Sequence, residues 1–558
     1  MDMLSDVEIA ARAKTAPISD IAAGLGLEPD DLIPYGHEIA KVRISVLDKP
    51  RKREKPPKLI LVSATTPTKA GEGKTTTSIG LGQAFTRLGE SACIALREPS
   101  LGPCLGIKGG ATGGGYAQIV PVGRINLHFT GDFHAVTTAN NLVSAAIDNH
   151  IYWDNKLRID PRMVAWRRVM DMNDRSLRKI VLGLGGRYQG IPREGGFDIT
   201  AASEIMAILC LANDLDDLRR RLDNILIGTS YSGEAIYLRS LNITDALLAL
   251  LRDAVHPNLV QTLEGTPVLM HGGPFANIAH GCNSVFATRM AMHLADWTIT
   301  EAGFGFDLGA EKFFDIKCRS AGLNPDAVVL VTTIRALKLH GGKSESDLES
   351  PDPSAVQRGL ENLDKHIDSV EQFNKHPVVA LNRFVNDTDE EIRLVRERAE
   401  AHGVRFADSR HFTEGGAGSR DLAREVMSAA ESTSVYKPLY DLDIPVVQKI
   451  CKICTKMYGA NDVAFTKDAE KDLKRVTELG LDRLPVCVAK APSSLSDDPA
   501  LHGRPRDFQV TVRNIQINSG AGFLVILTGE IMRMPGLPRK PLAEKVKFHA
   551  DSAIEGIG

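Results

Sequence analysis

The chain has 558 residues, 43% apolar and 25% charged, with 67 basic against 70 acidic side chains and a net charge of −3. Its length predicts roughly three or four domains, and its composition is that of a globular protein rather than a disordered or collagenous one. The balanced charge excludes a global attraction to nucleic acid or to an anionic membrane surface, and no apolar run approaches the ~20 residues that span a bilayer.

The N-terminus, Met-Asp-Met-Leu-Ser-Asp, lacks the basic and apolar regions of a signal peptide. The eight cysteines are scattered, as expected of a reducing cytoplasm. Residues 1–50 read as a polar segment with helices. The basic cluster Lys49–Lys58, interrupted by prolines and Glu54, reads as a solvated linker. The apolar run Leu59-Ile60-Leu61-Val62 then predicts a strand, followed by Thr65-Thr66-Pro67-Thr68-Lys69-Ala70-Gly71-Glu72-Gly73-Lys74-Thr75-Thr76 and a helix that buries Ile79, Leu81 and Phe85.

Strand, glycine turn and helix in that order form a phosphate cradle. Amide N–H groups and the positive end of the helix dipole face an anion, Lys74 reaches the β- and γ-phosphates, and a Thr75 or Thr76 hydroxyl ligates Mg2+. The usual first glycine is replaced by Thr68, and the variant with a lysine ahead of Gly-x-Gly-Lys-Thr, here Lys69, fits better. ATP chemistry is the first expectation; a ligand-free glycine turn is the alternative.

Further strands are predicted at Ala92–Leu96, Ile125–Phe129, Pro267–Met270, Trp297–Thr300, Ala327–Thr333, Val378–Leu381 and Val404–Ala407, alternating with helical stretches. This alternation predicts an α/β fold: a large parallel-sheet domain containing the phosphate loop, plus two smaller α/β domains. The expected divisions are 1–354, with 135–255 a largely helical excursion, then 355–470 and 471–558. A strand pair is expected around Phe508–Ile515 and Gly522–Leu527. Cys451-x-x-Cys454 falls on a helix that ends at Gly459, and no second pair stands at zinc spacing, so both read as buried helix cysteines.

Four predicted strands end in unusual loops. These are Arg97–Pro103 with the glycine run Gly106–Tyr116, Met270–Gly281, Thr300–Asp307 and Thr332–Gly342. Ligands of open parallel sheets gather beyond the carboxyl ends of the strands, so four such loops point to one large ligand site. Arg97 stands there, able to bind a carboxylate or phosphate in bidentate fashion.

Together with Asn126–Asn141, Pro377–Asp387 and Leu527–Pro538, these segments resemble the formate–tetrahydrofolate ligases, over essentially the whole chain and in the monofunctional bacterial form. The resemblance implies ATP-dependent joining of formate to tetrahydrofolate through formyl phosphate, giving 10-formyltetrahydrofolate, ADP and phosphate. It implies that Lys74 steadies the transferred phosphoryl group and that Arg97 holds formate and then the acyl phosphate. Phe384 and Phe412 would sandwich the pterin, and Phe304 would lie near the centre of the site.

Asp132 is a weaker metal-site candidate, with a helix cap as its alternative. His280 and Lys108 are candidates without an assigned role. The chain departs from the family pattern at Phe412 (commonly Trp), Glu414 (commonly Lys) and Lys69 (commonly Pro). The resemblance also implies a cytoplasmic homotetramer activated by potassium or ammonium, with tetrahydrofolate that can carry a polyglutamate tail, and no nucleic-acid or membrane partner. Two other readings use the same cradle: another carboxylate-activating ligase of the dethiobiotin-synthetase kind, and a partitioning-type switch ATPase.

Overall fold

The computed structural model describes residues 4–106, 110–186, 188–432, 434–529, 531–550 and 554–556. Its central sheet contains β1 (Lys58–Ala64), β2 (Ala92–Leu96), β3 (Asn258–Thr262), β4 (Pro267–Met270), β5 (Trp297–Glu301), β6 (Ala327–Thr332), β7 (Pro377–Asn382) and β8 (Arg405–Ser409). Side by side they run β3-β4-β2-β5-β1-β6-β7-β8. All neighbours from β4 to β8 pair in parallel, whereas β3 pairs antiparallel with β4. The carboxyl ends of seven strands therefore share one edge.

Leu59 to Val62 of β1 are fully buried, which explains their unbroken apolar run: both faces of a parallel sheet are covered by helices. On one face α1 (Lys74–Arg87) packs Ile79, Leu81 and Phe85 against Ile60, Val62 and Ile94. The other face carries a core that includes Leu59, Leu61, Phe313, Val328 and Leu381. The sheet crosses residue 354 without interruption, because β6 and β7 are neighbours.

Between β2 and β3 the chain leaves the sheet. This excursion contains α2 (Asp132–Trp153) and α3 (Glu204–Leu211), as its apolar periodicity suggests, and a three-stranded antiparallel sheet of Ile159–Val164, Leu226–Ser230 and Ala235–Tyr237 that the helical reading omitted. The strand expected at Ile125–Phe129 is instead a helical turn, Val122–Asn126, followed by bends. Pro121 starts that turn, and Ile125 and Phe129, four residues apart, both reach the core, a helical rather than an alternating spacing.

The basic cluster is also corrected. Arg51 donates from Nε to Met292 O (3.2 Å) and from Nη2 to Ala295 O (3.0 Å), and Arg53 Nε donates to Leu294 O (2.6 Å). The two arginines cap the carboxyl end of α4 (Val285–Leu294), where the helix dipole favours cations.

Beyond β5 two π-helical turns, Phe306–Ala310 and Phe313–Cys318, lead to β6. The short helix α5 (Ile334–His340) follows β6. The C-terminal region holds α6 (Lys467–Glu478), β9 (Val486–Ala489), β10 (Asn514–Asn518) and β11 (Phe523–Leu527), with β11 between the other two. The run expected as one strand at Phe508–Ile515 divides at Arg513, since Gln509–Val512 pairs with Asp462–Phe465 instead. A fully buried ion pair, Lys490 to Asp307 (2.7 Å), ties this region to the π-helical segment. Cys451 and Cys454 are free thiols on a helix that stops at Gly459, whose φ is 83°.

Candidate active site

The phosphate loop leaves β1 at the carboxyl edge. Thr65 N donates to Val331 O (2.9 Å), which continues the β1–β6 pairing by one residue. Thr66 is held from three sides: its Oγ1 lies 3.0 Å from both Asn362 Nδ2 and His366 Nε2, and its carbonyl lies 2.9 Å from His340 Nε2. Burial pushes His366 down to about 3 and His340 down to about 4, so both rings are neutral hydrogen-bonding supports. Pro67 is buried behind them.

Glu72 lies inside the turn. It accepts from Thr68 N (2.7 Å) and from the Thr333 hydroxyl. Asn382, at the end of β7, donates to Glu72 O (3.1 Å). Ala70 is exposed, and Gly71 and Gly73 adopt positive φ angles of 81° and 74°. At Gly73 a Cβ would stand 2.4 Å from Asn382 Nδ2, so both conformation and space demand glycine. Lys69 points away from the loop into a surface ion pair with Glu345 (2.7 Å), its side chain 83% exposed. Lys74 opens α1.

The two adjacent threonines diverge. Thr76 Oγ1 turns back to Gly73 O (2.7 Å), with His411 Nε2 at 3.3 Å. Thr75 Oγ1 donates instead to Glu301 Oε2 (2.9 Å). Glu301 ends β5, the strand beside β1, and its other oxygen lies 3.9 Å from Arg97 Nη2 at the end of β2. Arg97 also donates to Pro274 O (3.2 Å) in the loop after β4, and its guanidinium lies over Gly303, where a Cβ would come within 3.1 Å of Nη2. The loops after β1, β2, β4 and β5 thus meet around one carboxylate and one guanidinium.

The aromatic candidates lie along the same edge. Phe304, half-buried, has a φ of 59°, a left-handed conformation uncommon for a bulky residue and typical of functional loops. Phe384 follows β7, with Arg335 of α5 stacked on its ring at 3.9 Å. Phe412 follows β8, the strand next to β7, and packs its ring against Gly114 and Gly115. The turn that carries Phe412 grips α1: a Cβ at Gly80 would meet His411 Cβ at 2.3 Å, and a Cβ at Gly416 would meet the Gln83 main chain at 2.7 Å.

The formate–tetrahydrofolate ligase family model matches residues 4–558 of the chain. The chain belongs to that family. As a formate–tetrahydrofolate ligase family member it is an ATP-dependent ligase whose substrates are ATP, formate and tetrahydrofolate, which takes precedence over the carboxylate-ligase and switch-ATPase readings of the same loop. No described helix is long and apolar enough to cross a membrane.

ATP and Mg2+, which this family uses, fit the residues present. At Gly71 nothing lies within 4 Å of where a Cβ would stand, so the loop's main chain is open there, and Thr75 and Glu301 supply adjacent oxygen donors suited to a hard cation. Among the described residues there is no group of three or more His, Cys, Asp or Glu side chains able to hold a metal ion by themselves.

The structure puts the other candidates elsewhere. Asp132 begins α2, but its two oxygens bind Lys41 Nζ at 2.7 and 2.8 Å, and Asn258 Nδ2 at 2.9 Å ties it to Glu98. Burial raises the Glu98 carboxyl well above its ordinary range, reinforced by the Asp132 charge. Burial acts upward on Asp132 too, but Lys41 and the bond to Glu98 hold it low. His280 is fully buried in the loop after β4, both ring nitrogens without a partner among the described residues, and burial keeps it neutral. Lys108 lies outside the described residues. Glu414, where the family commonly has Lys, faces Arg410 at 3.8 Å.

Glu301 and His411 escaped the sequence reading, and the contact between Asn382 and the Glu72 carbonyl, which joins β7 to the loop, was not foreseen there. Glu301 carried a usable signal: an acid at the start of the loop that follows the predicted strand Trp297–Thr300.

Proposed function

We propose that ligation proceeds through formyl phosphate, and the observation that carries this reading is the Thr75–Glu301–Arg97 junction beside the phosphate loop. Formate is a weak electrophile, because oxide is a poor leaving group. A formate oxygen attacks the γ-phosphorus of ATP, the bond to ADP breaks, and the carbonyl gains phosphate as a leaving group. The N10 amine of tetrahydrofolate then attacks that carbon, the C–O bond breaks, and phosphate departs with the former formate oxygen and the amine proton.

Both steps demand positioning and anion stabilisation more than strong base catalysis. Lys74, at the mouth of the loop, neutralises the transferred phosphoryl group. Arg97 orients formate and then the acyl phosphate, and Glu301 holds Arg97 and Thr75 in register. Thr75 and Glu301 would hold Mg2+, which would supply charge neutralisation to the phosphates. Phe384 and Phe412 flank the pterin slot beyond β7 and β8, with Phe304 at its inner end. The family resemblance adds a monovalent cation and a homotetramer to this reading.

Oxygen-18-labelled formate tests the pathway. The label appears in inorganic phosphate, at one atom per turnover, only if a formate oxygen bonded to phosphorus. Phosphate free of label would overturn the formyl phosphate step. Lys74→Ala and Arg97→Ala should each abolish turnover with the fold intact, and full activity in either would remove that residue from the mechanism.

A further inference from the structure

A cavity of about 240 Å3 lies between the helical excursion and the C-terminal region, and none of its lining residues belongs to the carboxyl-edge loops. It exceeds the ~150 Å3 that accommodates benzene in a protein interior. Its lining includes the apolar Trp166, Val169 and Ile517 together with the side chains of Arg167, Arg475 and Arg533.

Three carboxylates, Asp198, Glu204 and Asp472, stand among these arginines. Asp198 faces two of them, Arg167 Nη1 at 3.0 Å and Arg533 Nη2 at 2.8 Å. Glu204 Oε1 accepts the main-chain N–H groups of Gly520 (2.8 Å) and Ala521 (3.1 Å), and Asp472 Oδ2 accepts that of Ile515 (2.8 Å). Two donors remain: Arg475 Nη2 and Arg533 Nε are both buried with no acceptor among the described residues. A buried guanidinium N–H without an acceptor is unfavourable, so an oxyanion entering the cavity would satisfy two donors that its lining leaves unpaired. Burial also pushes Glu204 up to about 7, which lowers the negative charge opposing an anion there.

We infer that this cavity is a binding site for a small organic anion, its carboxylate or phosphate held by Arg475 and Arg533 and its apolar body resting on Trp166. Guanidinium groups recognise both oxyanions by the same forked geometry, so the two sources are separated by experiment.

The intact protein, its phosphate loop first filled with Mg2+ and a non-hydrolysable ATP analogue, is titrated with succinate and, separately, with glycerol 3-phosphate. Tryptophan fluorescence and calorimetry follow the binding. Saturable binding of either probe is expected, and the tighter one identifies the oxyanion. Arg475→Gln should weaken it at least tenfold while leaving thermal stability and formate-dependent turnover unchanged. Trp166→Phe should remove the fluorescence response but retain the calorimetric signal. Absence of saturable binding by both probes, or equal binding by Arg475→Gln, would overturn the assignment.

Discussion

Replacing Glu301 by Gln keeps its shape and removes its charge. In the folded protein it accepts from Thr75 Oγ1 at 2.9 Å and stands 3.9 Å from Arg97. A hydrogen bond to a charged acceptor contributes about 1.5–3 kcal/mol and a neutral one about 0.5–1.5 kcal/mol, so the exchange costs about 1 kcal/mol of stability. Unfolding entropy of ~2.1 cal/mol/K per residue, over a chain of 558 residues, makes that a shift of only about 1 °C in Tm.

The effect on catalysis is larger. Loss of a carboxylate that orients a metal site lowers affinity or activity by about 10–100-fold. Initial rates of 10-formyltetrahydrofolate formation should therefore fall by that factor. The Mg2+ concentration for half-maximal rate should rise, and so should KM for formate as Arg97 loosens. A variant with unchanged kcat and unchanged Mg2+ dependence would refute the role of Glu301 as the acid of the phosphate site.

Lys41→Met leaves Asp132 and Glu98 facing each other in a dry interior, because Lys41 is fully buried and Asp132 is 3% exposed. Breaking one side of a buried pair costs about 3–5 kcal/mol, read as a lowered denaturant midpoint. Gly303→Ala places a Cβ 2.5 Å from Ala276 Cβ and 3.1 Å from Arg97 Nη2; KM for formate should rise with KM for ATP little changed, measured by steady-state kinetics at saturating tetrahydrofolate. Burial pushes His411 down to about 4, below the ~6.5 of an unfolded histidine. Its contribution is thus fully present above about pH 6.5 and is lost as pH falls towards 4, because the unfolded chain takes up the proton first. His411→Gln should flatten the decline in unfolding free energy between pH 7 and pH 5 by about 2 kcal/mol, as measured by denaturant titration at each pH; an unchanged slope would contradict a neutral buried ring.

Local pattern determined much of this protein. The run Leu59–Val62, the turn Gly71-Glu72-Gly73 and the apolar face of the following helix are neighbours in the chain, so backbone geometry and burial make them legible without tertiary information. The parallel strands were legible for the same reason: residues buried on both faces read as short apolar runs. The family character of the loops marked Arg97, Phe304, Phe384 and Phe412.

Partners distant in sequence were not legible. Thr75 and Glu301 are 226 positions apart, and Glu72 and Asn382 are 310 apart; only the strand order β2-β5-β1-β6-β7 brings them together. The same holds where a local reading failed. Charge and proline made 49–58 look like a solvated linker, yet the end of α4 turned Arg51 and Arg53 into caps. Asp132 looked available to a metal until the fold brought Lys41, from 91 residues earlier, onto both its oxygens. Sequence determines which groups a segment offers; the tertiary structure decides which of those offers are already taken, because a buried charge or hydrogen-bonding group must be satisfied by whatever the fold places beside it.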